Sequence, residues 1–139
     1  TEAKLYVDLA DTYIGMTAKK CKDIDILRAA ISQNIGFSDE QLEKGRVAVS
    51  GELKRYNKLK RRFEVGQLIR YTGQTPAVEM AMVVDVPSVA DHGHNARGYY
   101  GRASKSIRVP VIVDGNLVFA REAHIHKYTK KELKALGAI

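Results

Sequence analysis

The apolar residues of this chain change their period near Glu64, and no other feature of the sequence limits its folds as much. Upstream, they recur every three or four positions. Downstream, they come in short, β-rich runs broken by glycine, proline and aspartate. Helices followed by several short antiparallel strands define the α+β class. The expectation is a helical region over residues 1–63, with a basic second helix, packed on a small antiparallel barrel over residues 64–139. That barrel carries an inserted loop at 91–106 and ends in a short C-terminal helix. With 139 residues, 45% of them hydrophobic, the chain has enough apolar surface for a packed interior.

After a short apolar start at Leu5, Val7 and Leu9, "DIDILRAAISQNIGF" predicts the first helix. Its stripe is Ile24, Leu27, Ile31 and Ile35, its cap Asp23 and its left-handed stop Gly36. Ser38 followed by Gln41 reads as a capping box that opens the second helix, with Asp39 and Glu40 in the first turn. Leu42, Val49, Leu53, Tyr56 and Phe63 form its stripe. Gly45 and Gly51, each about 1 kcal/mol worse than alanine inside a helix, predict a bend or an interruption.

Among the strands, "VGQLIRYTG" stops at Gly73, and "AVEMAMVVDVPSV" reads as one longer strand. "IRVPVIVDGNLVF" turns at Asp114-Gly115, a dipeptide suited to a two-residue hairpin because both central residues need positive φ. "EAHIHKY" supplies a final strand. So few short strands suit a strongly bent barrel better than a sandwich. Thr129 and Glu132 make another capping box, with Leu133 and Leu136 as an apolar pair and Gly137 as the stop.

The segments "FEVGQLIRYTGQTPAVEMAMVVDVP" and "IRVPVIVDGNLVFAREAHIHKYT" resemble the SH3-like barrel of KOW-type domains over residues 64–128. The likeness rests on a first strand opening at a glycine turn, a Val-rich second strand, and a Glu-x-x-Ile closure at Glu122 to Ile125. The chain departs from the pattern where Ala77, Val78 and Ala81 stand in place of a glycine-rich second-strand start. With its helical front half and basic charge, it is similar in kind to the KOW-bearing DNA-binding proteins of T-even bacteriophages. The resemblance implies a non-enzymatic, largely sequence-independent binder of duplex DNA, acting on transcription or chromosome organisation in the host cytoplasm or nucleoid. RNA binding and a protein-interaction role for the barrel are the alternatives.

Charge supports a polyanionic partner independently. The chain carries +7 with an isoelectric point near 9.5. Residues 41–70 hold nine Lys/Arg against three Asp/Glu, and the surplus concentrates in "KRYNKLKRR" at 54–62. Lys54, Arg55, Lys58, Lys60, Arg61 and Arg62 are therefore candidate phosphate contacts, although a solvated helix face would look the same. The second candidate surface is "DHGHNARGYYGRASKS", residues 91–106. Its glycines allow close backbone approach, Arg97 and Arg102 suit phosphate oxygens, and Tyr99 and Tyr100 suit sugars or an exposed base. Lys105 and Arg108 extend it, and a homodimer closing on DNA would fit the electrostatics.

Chemistry of other kinds finds little support. His92, His94, His124 and His126 form two His-x-His pairs, the second projecting from one strand face if residues 123–127 are extended; this is a weak metal signal, and a His-ligated hydrolase the weakest alternative. No cofactor is expected. Neither a phosphate loop nor a Gly-x-Ser-x-Gly elbow occurs. A helix-turn-helix reading of "AAISQNIGFSDEQLEKG" meets the wrong charge at Asp39 and Glu40. The single cysteine, Cys21, cannot form an internal disulfide and is expected to pack within a helix; with no basic leader or long apolar run, a cytoplasmic location without membrane spanning is expected.

Overall fold

The computed structural model describes residues 1–91 and 105–138. It is α+β: helices, a curled antiparallel half-barrel sheet and a short C-terminal helix. The helices are α1 (Glu2–Ala10), α2 (Ala18–Gln33), α3 (Asp39–Ala48), α4 (Ser50–Arg62) and α5 (Lys130–Ala135). The strands are β1 (Leu68–Tyr71), β2 (Val78–Val83), β3 (Ser88–Asp91), β4 (Lys105–Val113), β5 (Asn116–Ala120) and β6 (Ile125–Lys127). Two compact units result, residues 1–57 with 89–107 and residues 58–88 with 108–139.

In the first unit α1, α2 and α3 pack on one another. Ala3, Tyr6 and Leu9 line the buried side of α1, so the apolar start is a helix, held at its front by Thr1 accepting from the Lys4 N–H. Helix α2 begins well before Asp23: Thr17 is its cap, and Asn34, at φ 53, is its left-handed stop in place of Gly36. Ending the helix there leaves Ile31 39% and Ile35 54% exposed, against the expected stripe, and Ala30 is buried with Ile24 and Leu27 instead. Cys21 also lies on the open side of α2. Ser38 and Gln41 do form a capping box at α3. Gly45 has a packing reason: a Cβ there would stand 2.3 Å from Cδ1 of Leu27, so a larger residue would require the buried Leu27 side chain to shift. The expected interruption falls at Val49, between α3 and α4.

In the second unit the strands run in the order β4-β2-β1-β6, with β5 on β4, while residues 89–91 of β3 and 105–107 of β4 fall in the first unit. Alternation sets one face inward. Ile69 and Tyr71 of β1, Ala81 and Val83 of β2, Val109, Val111 and Val113 of β4, and Ile125 of β6 are buried. Burying an aliphatic side chain of this kind contributes roughly 1.5–3 kcal/mol. Asp114 (φ 50) and Gly115 (φ 81) make the expected tight hairpin, with Val113 paired to Asn116. The long strand expected over "AVEMAMVVDVPSV" is two strands, β2 and β3, parted around Asp85 and Pro87. Between the pairs Ile69–Ala81 and Tyr71–Val78, β2 holds one residue more than β1, a bulge that places Met80 at φ 59. The final strand starts only at Ile125, because Glu122–His124 form a 3-10 turn. At α5, Thr129 and Glu132 cap the start, and Gly137 (φ 78) closes the end.

Candidate nucleic-acid interface

Helix α4 is strongly two-sided. Glu52, Tyr56, Leu59 and Phe63 are buried at spacings of three and four, a stripe that includes Leu59 where the sequence reading had Leu42 and Leu53, both half-buried. Lys54, Lys58 and Arg61 recur at four and three on the opposite side, all exposed. Arg55 and Arg62 flank that row on one shoulder and Lys60 on the other. Asn57, exposed between Lys54 and Arg61, lies on the same face and adds a neutral donor; its spacing of three from Lys54 was the available signal for it.

Charge on this face has few partners within the chain. Among the described residues, Lys54, Arg55, Lys58, Lys60 and Arg61 form no ion pair, whereas Arg62 donates to Glu122 at 2.6 Å and lies 5.1 Å from the Phe63 ring centre. Glu52, the only carboxylate of α4, is 8% exposed on the buried side. Five cations thus stand without local compensation, in a chain whose other helices carry carboxylates beside their lysines and arginines. Such a row can meet anions spaced along a polymer.

The second candidate surface lies only partly within the described residues. His92, His94, Arg97, Tyr99, Tyr100 and Arg102 fall outside them. Asp91 closes β3 and Lys105 opens β4, so the ends of the 91–106 stretch are strand rather than loop. Lys105 pairs with Asp11 at 3.6 Å. Arg108 is half-buried and donates to the Phe119 carbonyl at 3.4 Å; burial lowers its pKa, and Arg121 lowers it further by repulsion. Both of these side chains are thus engaged inside the molecule rather than turned wholly to solvent.

The second histidine pair does not share one strand face. His124 belongs to the 3-10 turn, its carbonyl accepting from the Thr72 N–H at 2.9 Å and its ring set edge-on to Tyr71, centroids 6.3 Å apart. His126 is on β6, with Nε2 3.0 Å from the Thr72 hydroxyl. Among the described residues no group of three or more His, Cys, Asp or Glu side chains is arranged to hold a metal ion. Asp39 and Glu40 open α3 exposed, with the charge that disfavours phosphate there. No helix among the described residues is long and apolar enough to cross a membrane.

One polar network was not foreseen. Arg70 Nε donates to Glu79 Oε1 at 2.7 Å, the Tyr128 hydroxyl donates to Glu79 Oε2, and the Met80 N–H donates to Tyr128 at 3.3 Å. The Tyr128 and Arg70 hydrogen bonds hold the Glu79 carboxyl below its ordinary pKa; burial, then Glu79, raises that of Tyr128. The network ties the β2 bulge to the residue after β6. Comparison with protein-family models, curated proteins and solved structures finds no match.

Proposed function

We propose that the protein binds duplex DNA without catalysis and largely without regard to sequence, through the solvent face of α4. The observation that carries this reading is the row Lys54, Lys58 and Arg61 with Arg55 and Lys60 beside it, exposed and free of ion pairs among the described residues. Lysine and arginine displace condensed counterions from phosphates, an attraction blind to base identity. The stretch 91–106 is a second contact on sequence grounds. An SH3-like, KOW-type identity for the half-barrel accords with the reading, as does the likeness in kind to MotB, the KOW-bearing DNA-binding protein of T-even bacteriophages; action on transcription or chromosome organisation follows from that likeness.

The test is a salt titration of binding to duplex DNA, single-stranded DNA and duplex RNA by fluorescence anisotropy. Neutralising five phosphates of B-DNA gives a slope of log affinity against log salt of about −4.5, with little change between unrelated duplex sequences. A flat salt response overturns the electrostatic mechanism. Preference for duplex RNA redirects the reading to RNA.

A further inference from the structure

We propose that Glu122 is a built-in competitor for DNA phosphate: its carboxylate occupies Arg62 in the free chain and holds back one contact of the α4 face. This inference rests on the DNA reading above and concerns how that face is regulated. Arg62 lies one turn beyond Lys58 and next to Arg61, within the same compact unit as Glu122. Lys58 and Arg61 form no ion pair among the described residues, whereas Arg62 Nη1 donates to Glu122 Oε1 at 2.6 Å. Of the α4 cations, Arg62 is thus the one that a carboxylate of the described residues answers.

The contact has the form of a replaceable one. A single hydrogen bond joins the two groups, although a guanidinium can present two parallel N–H groups to one carboxylate or phosphate. The remaining N–H groups of Arg62 and the second carboxylate oxygen of Glu122 have no hydrogen-bond partner among the described residues. Both side chains are open to solvent, Arg62 46% and Glu122 42% exposed, so an incoming anion reaches the guanidinium without unpacking the fold. Solvent screening keeps such a pair weak.

The guanidinium stays in place when Glu122 leaves. Its carbon lies 5.1 Å from the ring centre of Phe63, a side chain only 1% exposed, and that ring supports the cation whichever anion it holds. Glu122, by contrast, opens the 3-10 turn after Arg121, and nothing else among the described residues tethers its carboxylate. A DNA strand brings further phosphates to Lys58 and Arg61 at the same time, which a lone carboxylate does not. DNA therefore competes with Glu122 as a multivalent ligand, and Arg62 is a latent contact of the α4 face.

Fluorescence anisotropy of the whole chain with a duplex DNA probe tests this. Glu122→Gln keeps the shape of the side chain, removes its charge and should tighten binding roughly threefold at about 0.1 M salt, with a salt slope steeper by up to about 0.9. Glu132→Gln removes the same charge outside the pair, keeps an acceptor for the α5 capping box and should tighten binding much less. In an Arg62→Ala background, Glu122→Gln should lose its advantage over Glu132→Gln, a result that neither overall charge nor a merely structural role for the pair produces. Circular dichroism confirms the folding of each variant. Binding by Glu122→Gln no tighter than by Glu132→Gln, or a gain that persists without Arg62, overturns the proposal and leaves the α4 reading intact. Absence of salt-dependent DNA binding from the wild-type chain and every variant overturns both.

Discussion

Helices α2 and α4 are both rich in basic residues, yet they place their carboxylates differently; among the described residues Arg28 alone of the α2 cations forms an ion pair, and Lys19, Lys20 and Lys22 form none. In α2, Lys19, Lys20, Lys22 and Arg28 are interspersed with Asp23 and Asp25; Arg28 reaches Asp11 at 3.5 Å and Asp25 at 3.8 Å, and Lys20 lies 5.8 Å from the Tyr13 ring centre. In α4 the carboxylate is buried and the cations face solvent. Exposed ion pairs contribute only about 0–1 kcal/mol each, so neither pattern is needed for folding. A row of cations with no carboxylate on its own face does nothing for the isolated chain, which is why the proposed function rests on α4 rather than α2. Mutual repulsion along α4 costs the chain alone, and under the proposed function phosphate would relieve it.

The two sides of α4 differ most in what they contribute to stability. Phe63, 1% exposed, anchors the end of the α4 stripe, and Phe63→Ala should cost about 3–5 kcal/mol in urea unfolding. Lys58→Ala, on the other side, should change stability by no more than about 0.5 kcal/mol. Equal losses would mean that the two faces are assigned wrongly.

Binding separates the helices next. Lys58→Glu with Arg61→Glu should weaken duplex DNA binding at least tenfold at about 0.1 M salt, since two contacts become repulsive. Lys19→Glu with Lys22→Glu makes the same change of net charge on α2 and should have a much smaller effect. A similar loss from both would place the attraction in the overall field of the protein rather than in α4.

Within α4 a finer contrast is available. Arg61→Ala should reduce the magnitude of the salt slope by about 0.9, whereas Arg62→Ala should reduce it by less, because Glu122 already holds Arg62 at 2.6 Å. Anisotropy titrations of the two variants make the measurement.

The smallest effect concerns acid stability. The folded-state pKa of Glu79 lies below its unfolded value because Tyr128 and Arg70 hydrogen-bond its carboxylate. Its stabilisation is therefore present above the unfolded pKa and lost as pH falls through the lowered one. Glu79→Gln should flatten that part of the acid-side melting curve, and an unchanged curve would remove the network from the account.

Local signals in the sequence carried furthest. The Asp114-Gly115 hairpin and the two capping boxes depend on neighbours within a few residues, and each is where the sequence reading put it. Signals that depend on tertiary contact did not carry. Helix α1 hides in a stripe of Ala3, Tyr6 and Leu9, whose first member is too small to mark a period. Ile31 and Ile35 continue the spacing of Ile24 and Leu27, but Asn34 ends the helix and leaves them exposed. The α4 cations were legible as composition; their freedom from ion pairs was not, because Glu122 lies far away in sequence and selects Arg62 alone among them.

The salt dependence of duplex DNA binding should separate the wild-type chain from Lys54→Ala/Lys58→Ala/Arg61→Ala. Removing three phosphate contacts should reduce the slope's magnitude by about 2.7, with the loss shared alike by unrelated duplex sequences. A triple variant whose slope matches the wild-type value would contradict the account.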